Sequence, residues 1–397
     1  MAESAARAGW DVYAADLFCD LDLQAVATAA VPVANGIGDA AMGYPWSLGT
    51  AAAGFPASAA WCYTGAVENH PDLIDTITRV RRLAGNTGDL VRRLRDPALV
   101  AAAACEAGLS FPETLFSPDG VPLDGSWLVK PLAGAGGRGI RRWIPDVAAD
   151  HAMHHPTVTN QRLIWQRFVT GTPLSASYCF THGASRLLGV SRQLIGEPWC
   201  HAGLFAWCGA VTMNDAGSRP DHERLVASLR CLGDVLASRF QPVGLVGVDL
   251  VIDAAGPIAV IEVNPRPTAS MELFERSGVG SIANSHLSAC GFATPSGISF
   301  EPPLARPAST WAKAVLFATQ PTPATQSLID TLVRETTPWT QADGGWPALA
   351  DIPRPGQIIP TGAPAMTIFA VAPTANDAIA TLRDRVARID ALLSARL

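Results

Sequence analysis

Gly247-Val-Asp249-Leu-Val-Ile-Asp253, followed after a short break by Ile258-Ala-Val-Ile-Glu262-Val-Asn264-Pro-Arg266-Pro267, reads as two strands of alternating, β-branched residues. Ala254-Ala255-Gly256-Pro257 joins them as a hairpin loop. If Asp253 and Ile258 close that loop, counting back along both strands sets Asp249 across from Glu262. Period-two alternation puts Asn264 on the face of Glu262. Two carboxylates and an amide oxygen then converge inside otherwise apolar strands. Facing carboxylates repel, and burial raises the cost. A hard cation relieves it. Mg²⁺ takes oxygen ligands and keeps waters and substrate phosphates in its remaining positions. Arg266, just beyond, is placed to reach a transferring phosphate. The competing reading is an ordinary hairpin with acids on its wet face.

A second stretch bears on that choice. Trp127-Leu-Val-Lys130-Pro131-Leu-Ala-Gly134-Ala135-Gly136-Gly137-Arg138-Gly139-Ile140 reads as strand, glycine-rich loop and the start of a second strand. Glycines let the backbone approach an anion closely, with amide hydrogens aimed at phosphate oxygens. Lys130 ends the first strand as a point charge suited to phosphate. Gly134, Gly136 and Gly139 also match a dinucleotide-binding spacing, but such a loop must open a helix. Here Ile140-Arg-Arg-Trp-Ile144 reads as a strand and Pro145 follows. A glycine loop between strands suits a flap over the phosphates of a nucleotide. With so few side chains, the loop is expected to be loosely packed until a ligand orders it. The third stretch, Leu163-Ile-Trp-Gln166-Arg167-Phe168-Val169-Thr-Gly171-Thr-Pro-Leu-Ser175-Ala-Ser177, is an apolar strand, a Gly/Pro break and an alternating strand.

In this order the three stretches resemble the ATP-grasp superfamily. Its pattern is a strand with Lys-Pro, a glycine-rich flap, a hinge of the type Gln-x-Phe-Val-x-Gly-x-Pro-x-Ser, and Glu-x-Asn-Pro-Arg. These correspond to Lys130-Pro131, Gly134 to Gly139, Gln166 to Ser177, and Glu262 to Arg266. The match covers roughly residues 105 to 280, and the ensemble is more specific than any piece.

The resemblance implies Mg-ATP, with Mn²⁺ as a substitute, bound between two lobes. It also implies phosphorylation of a carboxylate and capture of the acyl phosphate by an amine. By position, Lys130, Gly134, Ala135, Gly136, Gly137 and Gly139 would hold phosphates. Gln166 and the backbone of Arg167, Phe168 and Val169 would meet the adenine. Asp249, Glu262 and Asn264 would bind the metal. Arg266 would steady the acyl phosphate, and Arg192, on the next family strand, would also face phosphate. The implied partners are a small carboxylate and an amine, with homo-oligomerisation left open.

The chain departs from the family pattern in places. Arg95-Asp96-Pro97 stands where many members carry Asp-Lys, so that nucleotide contact is lost or passes to Arg95. Arg167 occupies a hinge position where an acid is frequent. At the amino terminus, Met1 to Gly9 reads as a helix ending at glycine, with the strand Trp10 to Ala14 and the acid Asp16 after it. These look like the second and third elements of a Rossmann-like domain. The expectation is that an upstream segment, or a partner, supplies its opening strand.

Composition fits a globular enzyme of two to three domains in 397 residues, 48% hydrophobic and 16% charged. A net charge of −6 leaves no basic footprint for nucleic acid. No signal peptide or bilayer-spanning run stands out, so a cytoplasmic location with no membrane partner is expected. The eight cysteines are scattered and suit buried thiols. Cys200-His201 with Cys208 fits no common zinc spacing. His151, His154 and His155 precede Pro156 and suit a surface connection.

The expected fold is α/β and α+β. A Rossmann-like pre-ATP-grasp domain over 1–100 precedes a two-lobed ATP-grasp domain over 101–300, with its flap at about 112–168. A C-terminal α+β segment over 301–397 packs on it. Helices are expected at Asp72 to Leu83, Thr87 to Leu94, Pro97 to Gly108 and Asp221 to Phe240, and a Pro302-Pro303/Pro307 linker after the larger lobe. In the tail, helices are expected at Gln326 to Arg334 and Ala375 to Leu393. Asp351 to Gly356 with Gly362 to Pro364 resembles a segment that walls the active site in carboligase-like members; a plain surface loop is the alternative. The function implied is an ATP-dependent carboxylate–amine ligase. By family analogy its task would be glutamate addition in tetrahydromethanopterin or methylofuran biosynthesis. The alternatives are a biotin-carboxylase-like carboxylase using bicarbonate and a non-catalytic nucleotide-binding protein.

Overall fold

The computed structural model describes residues 1–33, 43–147, 162–213, 220–253, 256–295 and 309–395. The Pro302-Pro303/Pro307 linker and His151, His154 and His155 lie outside them.

The chain begins with α1 (Ala2–Arg7), which stops at Gly9 with φ +86°. Next, β1 (Tyr13–Asp16) leads through α2 (Leu21–Val26) to β2 (Ala29–Pro32), and the two strands pair in parallel. The first strand starts later than Trp10 because that residue has other partners. Its amide closes the helix end on Ala5 O, and its indole Nε1 donates to Asn284 Oδ1 at 2.7 Å. Helices α3 (Leu48–Ala51), α4 (Pro71–Thr78), α5 (Gly88–Leu94) and α6 (Pro97–Glu106) follow. The expected helix to Leu83 ends at Thr78, because Leu83 instead forms a parallel bridge with Trp61. Thr87 and Asp96 cap α5 and α6 with their side-chain oxygens, as their positions before each helix suggest.

Two antiparallel sheets make the body. The smaller holds β3 (Thr114–Leu115), β4 (Trp127–Pro131), β5 (Arg141–Arg142) and β6 (Leu163–Arg167) in the order β3-β6-β4-β5. Its own core is Val121, Trp127, Val129, Trp143 and Trp165.

The larger sheet holds β7 (Gly171–Thr181), β8 (Ala184–Ile195), β9 (Trp207–Thr212), β10 (Gly244–Asp253) and β11 (Ile258–Asn264). The tail adds β12 (Thr310–Phe317), β14 (Leu349–Ala350) and β16 (Pro364–Ala372), giving eight strands in the order β11-β10-β7-β8-β9-β12-β16-β14. A separate pair joins β13 (Thr322–Pro323) to β15 (Ile358–Ile359). Helix α7 (Pro220–Phe240) buries Leu225, Leu229, Leu232 and Leu236 against Leu174, Val190, Val248 and Leu250 of the sheet. Helix α8 (Ile282–Ala289) packs beside β10. Among the tail helices α9 (Gln326–Ala342) and α10 (Ala375–Ser394), Leu382, Val386 and Ile389 of α10 cover the β12/β16 end.

Helix α9 runs on past the expected stop at Arg334 and through Pro338. Leu328, Ile329, Leu332 and Thr336 keep one face buried along it. That packing outweighs the single amide bond the proline removes. No described helix is long and apolar enough to cross a membrane.

Candidate functional site

Asp249 of β10 stands directly across from Glu262 of β11. The register arises by a different route from a simple count. Ile252, not Asp253, pairs with Ile258, and Ile261 is then an extra residue that bulges and restores the phase at Glu262. Asn264, two residues on, is buried on the same face. Its Nδ2 donates to Asp249 Oδ2 at 2.9 Å and to Glu262 Oε1 at 3.4 Å.

The pair does not share its charge evenly. Burial, then the facing Glu262, push the Asp249 carboxyl up to about 7. Burial also pushes Glu262 up, but Lys130 and then Arg95 outweigh it and leave Glu262 below its ordinary value. Lys130 is buried, which lowers its ammonium, and the two acids partly offset that. The Glu262 charge is therefore held against a lysine inside the fold, and Asp249 is the more easily protonated of the pair. The chemistry of the set suits a hard divalent cation: two carboxylates, and the Asn264 amide once it turns its oxygen rather than Nδ2 toward them, with Asp249 ready to lose its proton to a metal. Among the described residues no group of three or more His, Cys, Asp or Glu is able to hold a metal by itself. A cation here would need further oxygens, such as phosphates.

An open cleft lies beside the pair. Lys130, Ile164 and Gln166 line it from the small sheet, Ile261 and Glu262 from the large one, and Arg95 from the end of α5. Arg95 also donates from Nη2 to the carbonyls of Leu132 and Gly134 at 3.4 Å each, at the base of the glycine loop. The position that departs from the family lysine is thus filled by a cation at the cleft. Gln166 is buried and donates to Thr114 Oγ1 at 3.1 Å. The amides of Arg167 and Phe168 are bonded to Glu113 O and Ser126 O, both at 2.9 Å. That narrows the hinge donor expected over Arg167 to Val169 to Val169 itself. The Arg167 side chain is exposed, and the Phe168 ring stacks on Arg142 at 3.6 Å.

The glycine loop is more firmly seated than its composition suggests. Trp207 N donates to Gly136 O at 3.1 Å. Gly137, at φ +79°, comes so close to Phe205 that a Cβ would lie 1.8 Å from its carbonyl oxygen. Ala135, Gly136, Gly137 and Gly139 therefore form a hairpin tip docked where β9 enters the large sheet. A loop without side chains packs by backbone approach, which composition does not reveal.

Residues 98–270 match the family model described as the ATP-grasp domain. This chain carries an ATP-grasp domain. No curated protein matches the sequence. Among solved structures it is similar to L-amino acid ligase from Bacillus licheniformis, at 15% identity over 96% of this chain and 92% of that one, with a TM-score of 0.66. It is similar to pyruvate carboxylase from Rhizobium etli at 15% identity over 100% of this chain and 38% of that one, TM-score 0.69. Biotin carboxylase from Campylobacter jejuni matches at 13% identity over 96% and 87%, TM-score 0.66. Likenesses at such identities establish the fold.

Arg192, expected to face phosphate, is turned away from the acids. Leu188 is an extra residue in β8, a bulge that shifts the β7/β8 pairing by one. Ser175 then pairs with Ser191, and Leu174 with Arg192. Since a one-residue slip turns every side chain over, Arg192 lies on the face of Leu174, away from Asp249. Gln193 takes the place instead, donating from Nε2 to Asp249 Oδ1 at 2.8 Å and to Leu174 O at 2.9 Å. The Ser175 hydroxyl also bonds Asp249. Arg266 is close by, with Nε donating to Glu68 Oε1 at 2.6 Å. Sequence reasoning missed Gln193, Ser175 and Glu68. Gln193 alternates correctly only once the bulge is known, Ser175 faces Asp249 through an unbroken β7/β10 register that local sequence does not show, and Glu68 lies in a short 3-10 helix with no motif.

The Asp351 to Gly356 segment contacts the amino-terminal part rather than the cleft. Asp22 accepts the amides of Asp351 and Ile352 at 3.1 and 2.8 Å, and Leu21 N donates to Ile352 O.

Proposed function

We propose that this protein is an ATP-dependent carboxylate–amine ligase using Mg²⁺ or Mn²⁺. The observation that carries the reading is the Asp249/Glu262 pair with Asn264, set beside a cleft that Lys130 shares with the buried hinge residue Gln166. Asp249, Glu262 and Asn264 would hold the metal, which supplies charge neutralisation at the reacting phosphate. Lys130, Arg95 and the amides of Gly134 to Gly139 bind the triphosphate and exclude water. The cleft walls Ile164 and Ile261 take the base, with the Val169 amide as hinge donor. A substrate carboxylate attacks the γ-phosphate in line, and Arg266 steadies the acyl phosphate that forms. An amine then displaces phosphate, making an amide and releasing ADP and phosphate.

Glutamate ligation in tetrahydromethanopterin or methylofuran biosynthesis is the substrate reading we favour, on family analogy. In that reading the protein acts in the cytoplasm on small molecules, as a monomer or a homo-oligomer. A carboxylase that activates bicarbonate is the second reading, favoured by the likeness in fold to biotin carboxylase over nearly the whole chain. The deciding experiment is ADP release across a panel of acids and amines. Dependence on an amino acid supports the ligase; release with bicarbonate alone supports the carboxylase. A folded protein that binds no Mg-ATP sinks both, and leaves at most a degenerate, non-catalytic site.

A further inference from the structure

Three side chains from outside the matched 98–270 close on the end of β11. Asn86 Nδ2 donates to Pro265 O at 3.0 Å, Asn86 Oδ1 accepts from Val243 N at 2.9 Å, and Tyr63 Oη, 3.3 Å from Pro265 O, donates to Asn86 O at 2.7 Å. They clamp the peptide between Asn264 and Arg266. The third is Glu68, whose side chain is fully buried. Its Oε1 accepts from Arg266 Nε at 2.6 Å and lies 3.5 Å from Arg95 Nη1. Arg266 also donates from Nη1 to Pro267 O at 3.0 Å. Two bonds fix a planar guanidinium, and neither uses Nη2. Glu68 Oε2 has no hydrogen-bond partner among the described residues. Burying a carboxylate with one oxygen unmet is costly, and its placement makes sense through the two arginines it holds.

We infer that Glu68 is a positioning residue: it presets Arg266, and with it Arg95, at the phosphate end of the cleft, so that the amino-terminal unit completes the site. The inference rests on the ligase reading, in which Arg266 meets the acyl phosphate. One carboxylate lets two guanidiniums lie close together in a low-dielectric place before any nucleotide arrives. Their remaining nitrogens then meet phosphate oxygens without reorganisation, which is where electrostatic stabilisation is most effective. A neutral amide in its place holds Arg266 less firmly, since the attraction between opposite full charges in a buried place is lost.

The test uses Glu68→Gln and Glu68→Asp in the full chain, with two readouts. Without nucleotide, phenylglyoxal labelling of Arg266 is followed by mass spectrometry. With Mg-ATP and substrates, kcat and KM are measured separately. In Glu68→Gln, Arg266 should label about three-fold faster or more, and kcat should fall about ten-fold, more than KM for ATP changes. Glu68→Asp keeps the charge on a shorter arm, so labelling and kcat should lie between those of Gln and wild type. If the Gln variant does not fold, the Asp variant decides, and wild-type labelling with wild-type kcat overturns the inference. The same pair of results in a folded Gln variant also overturns it, while the ligase reading stands. A clear labelling contrast in a protein that consumes no ATP with any acid overturns the ligase reading, and with it the role of Glu68 in catalysis, leaving only the clamp.

Discussion

Asp249 and Glu262 are alike in chemistry and unlike in surroundings. Glu262 sees Lys130 and Arg95, whereas Asp249 sees Glu262, Ser175 and Gln193. Removing the charge from Asp249 therefore relieves repulsion, and removing it from Glu262 strips Lys130 of its nearest compensation. In the absence of nucleotide, Asp249→Asn should raise stability at pH 8 by about 1–2 kcal/mol, and Glu262→Gln should gain less or lose. Both should cut Mg-ATP turnover by about a hundred-fold or more, because a metal clamp supplies several kcal/mol to the reacting phosphate. Melting curves and ADP release check this; near-normal turnover by either folded variant would remove the metal assignment. Arg192 and Gln193 give a second contrast. Gln193→Ala should lower turnover about ten-fold by freeing Asp249, since a bond to a charged group is worth about 1.5–3 kcal/mol. Arg192→Ala, on the far face, should leave turnover within about two-fold. A reversed pair of results would mean that Arg192, not Gln193, serves the reaction.

The flap is an element whose hold on the rest of the fold is almost entirely backbone. Gly136 and Gly137 both have positive φ, at +63° and +79°, so an alanine strains each by a similar amount, about 1 kcal/mol. They differ in what surrounds them. A Cβ on Gly136 meets open space, and one on Gly137 meets Phe205 O. Gly137→Ala should thus lift the tip off the large sheet, raising KM for Mg-ATP about ten-fold and speeding amide exchange over 134–139. Gly136→Ala should change KM little. Equal KM values in the two variants would show that docking of the tip does not matter to nucleotide binding. The glycine pattern revealed that backbone approach was needed here. It did not reveal that protein, at Phe205 and Trp207, already takes part of that approach, because a carbonyl in a turn far along the chain leaves no mark in the local sequence.

Over the whole molecule, the ends of the chain meet. Asp20 caps α2 through Leu23 N, Asp22 holds the amides of Asp351 and Ile352, and Asp351 itself is adjacent. Burial, then Asp22 and Asp351, push the Asp20 carboxyl from 3.8 up to about 7. A carboxyl raised on folding is favoured in its protonated form. Its contribution to stability is whole below the unfolded value and is lost as pH climbs through about 7. Asparagine keeps the cap and cannot ionise. Asp20→Asn should be nearly neutral at pH 4, and should stabilise increasingly to pH 7 and then level off. The gain should be about 1–2 kcal/mol once partial exposure is discounted. A gain that does not vary with pH would show that Asp20 is already ionised and solvated in the fold.

The hairpin of β10 and β11, the Lys130 strand and the hinge are determined by local alternation and by residues adjacent in the chain, so the sequence alone located Asp249, Glu262, Asn264, Lys130 and Gln166. Even there the agreement at Glu262 depends on two departures that cancel, a loop closed one residue early and the bulge at Ile261. At Leu188 an uncancelled bulge turned Arg192 away and brought Gln193 in. Bulges answer to the twist and closure of a whole sheet, which no window of sequence contains. Two further features were likewise decided only by the tertiary structure: Glu68 against Arg266, 198 residues apart, and the β9–β12 pairing that joins the tail to the large sheet. Both are long-range contacts, whose partners are selected by complementary charge and buried surface after the chain has collapsed, not by the identity of their neighbours in sequence.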